Sequence, residues 1–256
     1  MSNLADLLQL SQDVLWLHFL VLLRVGPVMS LFPGFGERSV PARIKLVLTL
    51  AMTVIIAPAV QPVLVYLVET PPPIGRLVLS ETLIGLTIGI GIRLFILALQ
   101  TAGSIAAQSI SLAHVLGNAG VTPLPAMGHL LVVGALALSM MLGLHVLVAQ
   151  MMVQTYTVFP AAQFPDAGLV SNWGISQISN AFALAFTLAA PFVIVSVLYN
   201  LTLGIINRAM PQMMVVFVGA PVITWGGLVL LMLLAPTMLT VWVEALNRFI
   251  MNPFGG

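Results

Sequence analysis

Cysteine is absent from this chain of 256 residues, and charge is scarce: eight basic and seven acidic side chains make up 6% of the sequence. Without cysteine there is no disulfide, no thiolate metal site and no cysteine nucleophile. Soluble domains carry about 25% charged residues, so a chain this poor in charge cannot present an ordinary water-facing surface. A net charge of +1 leaves no basic field to hold nucleic acid. Ahead of the first apolar run stand Asp6 and Asp13 but no Lys or Arg, so the positive region of a cleavable signal is missing and all 256 residues are expected in the mature protein. Catalytic patterns are missing as well. His18, His114, His129 and His145 match no H-E-x-x-H spacing, and the chain holds no G-x-S-x-G elbow and no glycine-rich phosphate loop. No enzymatic activity, metal or cofactor is expected.

What the chain has is apolar length. Sixty per cent of its residues are hydrophobic and the mean hydropathy is +1.14. A bilayer core of about 30 Å takes about 20 helical residues, and six segments reach that length: about 14–32, 44–68, 77–99, 129–152, 178–206 and 213–234, the last continuing towards 249. They are too long for barrel strands and apolar all round, which predicts an all-α membrane protein of about six long, kinked helices in hairpins. Pro27, Pro58, Pro191, Pro221 and Pro236 lie inside these segments and predict kinks or re-entrant backbone. Two stretches are not read as spans. Residues 100–116 are mixed and uncharged, a helix that ends in the flexible run Gly117-Asn118-Ala119-Gly120. Residues 154–174, with Pro160, Pro165, Asp166 and Trp173, read as an interfacial connection. The first loop carries Arg38, Arg43 and Lys45 and the fifth Arg208, which places those loops in the cytoplasm and both termini outside.

Three charges lie within apolar segments: Arg24, Glu81 and Arg93. An ionised group at membrane depth is costly unless paired. Glu81 and Arg93 are too far apart along one helix to meet, so pairing needs another helix, with Arg24 and Glu81 as one possibility. The alternatives are an ion or proton pathway, an ion pair between helices or subunits, or segment ends that sit near water. Gly85 and Gly89 form a G-x-x-x-G pair. Ala135, Ser139 and Gly143, and Ala181, Ala185 and Ala189, form further small-residue ridges that allow close helix packing. The methionine doublets at 140–141, 151–152 and 213–214 fit either ordinary gap filling or a compressible seal.

Three stretches carry a resemblance: Phe32-Pro33-Gly34-Phe35-Gly36-Glu37-Arg38-Ser39-Val40-Pro41-Ala42-Arg43-Ile44-Lys45; Glu81 to Gly89; and Asn207-Arg208-Ala209-Met210-Pro211-Gln212-Met213-Met214-Val215-Val216-Phe217 with Gly219-Ala220-Pro221. Their order and spacing resemble the FliR family of export-gate proteins, shared between flagella and injectisome type III secretion (SpaR and YscT), and the likeness spans nearly the whole chain, 1–256, as a single domain. The resemblance implies a non-enzymatic subunit that assembles with FliP-like and FliQ-like subunits and an FlhB-like protein. Its setting would be a flagellar basal-body ring in the bacterial inner membrane, in contact with lipid, where unfolded export substrates pass through the assembly. The wording of the first loop favours a flagellar over an injectisome role; a stand-alone secondary transporter or channel is the reading from another class. The family's plug loop corresponds by position to about 106–122, with Ser109, Ile110, Ser111, Leu112, Ala113, His114, Val115, Leu116, Gly117, Asn118, Ala119, Gly120 and Val121 as its residues. Small, uncharged, glycine-hinged backbone suits a seal that must exclude ions and yet yield to an extended chain. Arg24, Glu81, Gly85, Gly89, Arg93, Arg208, Pro211 and Gln212 are assigned structural or intersubunit contacts.

Overall fold

The computed structural model describes residues 2–37, 40–110, 126–210 and 215–255. Among them are seven α-helices and no strand: α1 (Ser2–Leu31), α2 (Ala42–Glu69), α3 (Ile74–Ile110), α4 (Ala126–Met141), α5 (Leu144–Val158), α6 (Ala167–Ala209) and α7 (Val215–Met251). The all-α expectation holds. Five helices are long and apolar enough to cross a membrane, and six spans result if the bent pair α4–α5 counts as one.

Two boundaries bear on the reading of the spans and differ from the sequence expectation. The third segment does not stop at residue 99 but runs unbroken to Ile110. Gln100, Thr101 and Ser104 are too few and too scattered to end a helix rich in good formers. The fifth begins at Ala167, not 178, because Asp166 caps it: its Oδ1 accepts the backbone N–H of Leu169 at 2.8 Å. The connection read across 154–174 therefore shrinks to the few residues between α5 and α6. At 37 and 43 residues, α3 and α6 extend roughly 55 and 65 Å, far beyond a 30 Å hydrocarbon core.

The sharp break is also not where proline stands. α2, α6 and α7 continue through Pro58, Pro191, Pro221 and Pro236, and α1 through Pro27. The segment expected as one span over 129–152 is instead two helices meeting at 72°. Gly143, at φ +78°, makes that break. A left-handed residue ends a helix, and glycine takes that conformation without strain.

The chain divides into two compact units. One comprises Met1–Leu94, Met140–Gln177 and Arg248–Gly256; the other comprises Phe95–Ser139 and Ile178–Asn247. In the first, α1 packs on α2 and α2 on α5. Its core is a set of three- and four-residue stripes: Leu20, Val21, Val25, Val28 and Met29 on α1; Ile56, Val60 and Leu64 on α2; Ile84, Ile88 and Ile92 on α3; Val148, Met151 and Met152 on α5. In the second, Ala102 and Ala106 of α3, Leu131 and Ala135 of α4, Ala185, Ala189 and Phe192 of α6, and Trp242 of α7 are buried, and the Trp242 Nε1–H donates to the Phe95 carbonyl at 2.8 Å. Apolar burial alone cannot hold such helices together, because lipid tails are as apolar as leucine. Close backbone approach and interhelical hydrogen bonds decide the packing, and both are found.

Much apolar surface stays uncovered. On α6, Ile178, Phe182, Phe186, Ile194, Leu198, Leu201 and Ile205 are exposed in an almost unbroken line of near-four-residue steps. An apolar stripe of that length marks a lipid or protein interface.

Candidate functional site

The first unit is built around one buried ion pair. Arg24 on α1 is 0% exposed and Glu81 on α3 is 1% exposed. The Arg24 Nε–H donates to Glu81 Oε2 at 2.8 Å, Nη1 to Thr155 Oγ1 at 3.3 Å, and Nη2 to the Phe159 carbonyl at 3.0 Å. The guanidinium carbon lies 3.8 Å from the centroid of the Tyr156 ring. The second carboxylate oxygen, Oε1, accepts the backbone N–H of Ala162 at 2.9 Å. Ala162 is the one non-glycine with positive φ among the described residues, at +62°. An alanine in the left-handed region is strained, and the Glu81 bond holds it there. Beside it the Ala161 carbonyl accepts the Tyr66 hydroxyl at 3.3 Å. A single ion pair thus ties together α1, α3, the end of α5 and the turn beyond it.

The glycine pair explains how α1 and α3 come close enough for this. A Cβ at Gly85 would overlap the Arg24 carbonyl oxygen, and one at Gly89 would sit 3.0 Å from Leu31 Cδ1 and 3.3 Å from the Pro27 carbonyl. The G-x-x-x-G face of α3 therefore seats the stretch of α1 from Arg24 to Leu31. The Arg24–Glu81 pair links two helices, α1 and α3. Every polar atom of the pair has a protein partner, and no metal-binding cluster is found among the described residues.

Arg93 belongs to a second pair. Its Nη1 lies 2.5 Å from Glu37 Oε1, with both side chains 26% exposed. This pins the turn that follows α1. There Gly34 has φ +88°, Gly36 N–H donates to the Phe32 carbonyl at 2.7 Å, and a Cβ on Gly36 would overlap the Ser30 carbonyl. The Lys45 Nζ donates to the Gly36 carbonyl at 3.0 Å. Phe32, Gly34, Gly36 and Glu37 thus each have a backbone or ion-pair task in this turn. Because this pair is partly solvated, replacing Glu37 with Gln is expected to cost less than about 1 kcal/mol, and less still in high salt. A salt series of thermal midpoints on the purified protein measures it, and a loss above 3 kcal/mol would mean the turn depends on the charge.

In the second unit the site of interest is the end of α3. Gly103 of α3 and Gly128 of α4 pack backbone to backbone: a Cβ on Gly103 would overlap the Gly128 Cα and N. Ile110, buried, lies on Gly227 of α7, whose Cβ position its side chain already fills. The Ser196 hydroxyl of α6 donates to the Ser109 carbonyl, and the Asn200 Nδ2–H donates to Ser196 Oγ at 3.2 Å. Of the residues assigned to a plug, Ser109 and Ile110 are placed here. Ser111 to Val121 lie outside the described residues, as do Pro211 and Gln212. Arg208 is exposed in the last turn of α6, a favourable place for a cation at the negative end of a helix dipole.

Sequence reasoning did not single out Thr155, Tyr156, Phe159 or Ala162 as partners of the buried pair. Nor did it single out Glu37 as the partner of Arg93, or Ser196, Asn200 and Gly227 below the end of α3. The one available signal was Glu37, the acid nearest in sequence to the basic first loop.

Comparison with known proteins gives a consistent picture. The family described as bacterial export proteins, family 1, matches residues 15–249. The chain is similar to the flagellar biosynthetic protein FliR of Caulobacter vibrioides, 34% identical over 88% of this chain and 90% of that protein. It is likewise similar to FliR of Escherichia coli, 30% identical over 86% and 84%, and to FliR of Bacillus subtilis, 28% identical over 82% of each chain.

Proposed function

Because this chain belongs to the bacterial export proteins, family 1, we propose that it works without catalysis as a core subunit of the flagellar type III protein export gate. At the coarser level the assignment is plain: it is a multi-pass membrane protein and a subunit of the flagellar export apparatus, which works with other export components. The observation that carries this is the match along nearly the whole length to flagellar FliR proteins, at up to 34% identity.

The finer reading concerns location, domain, neighbours, cargo, plug and packing. The assembly sits in the inner membrane inside the basal body, and the whole chain, 1–256, acts as one functional domain. The neighbours are FliP-like, FliQ-like and FlhB-like proteins, and unfolded flagellar subunits pass between them. Residues 106–122 form the plug, and the methionines of this chain serve as packing. Two observations support this reading. The exposed apolar line on α6 and the lengths of α3 and α6 suit helices covered by sister subunits over part of their length, since a 30 Å hydrocarbon layer cannot cover them alone. The segment after Ile110 is uncharged from Ser111 to Pro125 apart from His114. A neutral seal neither stabilises a permeating ion nor grips a charged cargo.

Purification in mild detergent tests the neighbours. The tagged chain should bring down the FliP-like and FliQ-like chains in fixed ratio, and a monodisperse monomer that moves a small solute would overturn the reading. Deletion of Leu116 to Val121 tests the plug. Ion conductance of membranes holding the complex should rise by at least tenfold while assembly is retained, and unchanged conductance would mean that the seal lies elsewhere.

A further inference from the structure

Three helix ends meet at one boundary of the first unit: the start of the apolar span Ser11–Leu31 in α1, the end of Ala42–Leu67 in α2, and the start of α3 at Ile74. Between them lies a groove of about 890 Å³, within the roughly 300–1,000 Å³ of small-molecule sites. Its α1 wall is a stripe at three- and four-residue spacing. Leu15 and Phe19 are exposed, and the Trp16 ring stacks on Phe19 with centroids 5.5 Å apart. The Trp16 Nε1–H donates to the Leu67 carbonyl at 3.2 Å, which satisfies the indole and fixes the ring as a wall. The facing wall is Pro71, Pro72 and Pro73, followed by exposed Ile74. Irregular backbone beside lipid is normally costly because its polar groups go unmet. Three successive prolines carry no N–H to leave unmet, and the Pro73 carbonyl accepts the Leu77 N–H at 3.1 Å. Such a groove can hold a hydrocarbon chain. Its polar end is one-sided. Exposed Gln12 and Asp13 form the lip, and Asp13 is the one charged residue of the lining. Its carboxylate has no ion pair or hydrogen bond among the described residues.

From this arrangement we infer that the groove is a binding site for a phospholipid with a primary-amine headgroup, phosphatidylethanolamine. Its ammonium meets the Asp13 carboxylate, and an acyl chain lies between Trp16 and the prolines. The site is amphiphilic in the same sense as the ligand: an apolar trough that ends in a single negative charge. That charge attracts a cation and repels an anionic headgroup, so phosphatidylglycerol with the same chains is disfavoured. The position along the span agrees, since tryptophan at a membrane boundary sits at headgroup level. The inference needs only residence in a membrane and does not rest on the gate or plug readings.

The test uses the purified complex reconstituted in bilayers of phosphatidylethanolamine and phosphatidylglycerol, with brominated chains on one lipid or the other. Bromine quenches tryptophan fluorescence on contact, and the difference between the unaltered protein and Trp16→Phe reads this site alone. The two lipids share phosphate and chains, so the comparison isolates the amine. Half-maximal quenching should need about fivefold less phosphatidylethanolamine than phosphatidylglycerol, the size of one charge interaction at a membrane surface. Asp13→Asn should make the two lipids equal without changing the yield of complex, and Asp13→Glu should keep the preference. Ile74→Asp, which places a charge in the apolar wall, should weaken quenching by both. Equal quenching by the two lipids in the unaltered protein overturns the inference, as does a preference that survives Asp13→Asn. Absence of quenching by either lipid overturns it too, because the groove is then covered by a sister subunit. Should Asp13→Asn fail to accumulate, the comparison of the two lipids on the unaltered protein and on Asp13→Glu decides.

Discussion

Replacing Arg24 with Ala is expected to lower the melting temperature of the purified complex by on the order of 10 °C, and to cut its accumulation in cells severely. The change leaves Glu81 as an unpaired carboxylate that is 1% exposed. It also removes the donors to Thr155 and Phe159 and the cation above Tyr156. Breaking one side of a buried ion pair costs about 3–5 kcal/mol, a large share of the roughly 5–15 kcal/mol that holds a typical domain folded. Glu81→Ala should do as much harm by a second route, because it also releases the N–H that keeps Ala162 at φ +62°. The contrast that matters is the double change Arg24→Met with Glu81→Leu. With both charges removed and the volume kept, part of the lost stability should return, less the cost of the Ala162 N–H that leucine cannot bond. Exposed Arg76→Ala should move the midpoint by no more than about 0.5 kcal/mol. If the double variant melts as low as Arg24→Ala alone, the uncompensated charge is not what destabilises the single variant, and the hydrogen bonds to Thr155, Phe159 and Ala162 carry the pair's contribution.

Gly103→Leu should be the most damaging change in the second unit. The neighbour a side chain would meet is the backbone of Gly128, not the tip of a flexible group. A backbone has no rotamer by which to move aside, so α3 and α4 must separate. Overpacking of this kind costs about 1–3 kcal/mol even where side chains can adjust, and here the cost should exceed that range. Even Gly103→Ala should destabilise. Gly226→Ala, on α7 with nothing within 4 Å of the added Cβ, should be neutral or gain a few tenths of a kcal/mol through lost unfolded-state freedom. Protease resistance of the assembled complex reads both. Equal resistance of the 103 and 226 variants would mean that the helices separate at no cost and that the close crossing is incidental.

Composition and hydrophobic run length reveal the helical class directly, because 20-residue apolar stretches with almost no charge have few other homes. The Arg24–Glu81 pair was within reach for the same reason. With so few ionised groups at membrane depth, the choice of partner is small. The sequence also pointed to Gly85 and Gly89, since small residues at four-residue spacing have one main use in such helices. Other features were hidden for physical reasons. The partners of Arg24 on α5 and beyond are ordinary residues, a threonine and backbone groups, that become special only by proximity. Proline drew attention as the breaker, yet the 72° bend came from Gly143, because helices in an apolar setting tolerate a missing donor better than they resist a left-handed residue. Ser196 looked like any polar residue on an apolar helix. Only the position of α3 shows where its proton goes.

The order of synthesis gives the buried pair a further consequence. Arg24 leaves the ribosome 57 residues ahead of Glu81, and 131 ahead of Thr155. A lone arginine midway along a newly made helix is disfavoured in the membrane by about 2.5–3.5 kcal/mol on insertion scales. The first helix therefore has reason to linger at the insertion machinery until the third emerges beside it, and the nascent chain enters the bilayer as a bundle, not one helix at a time.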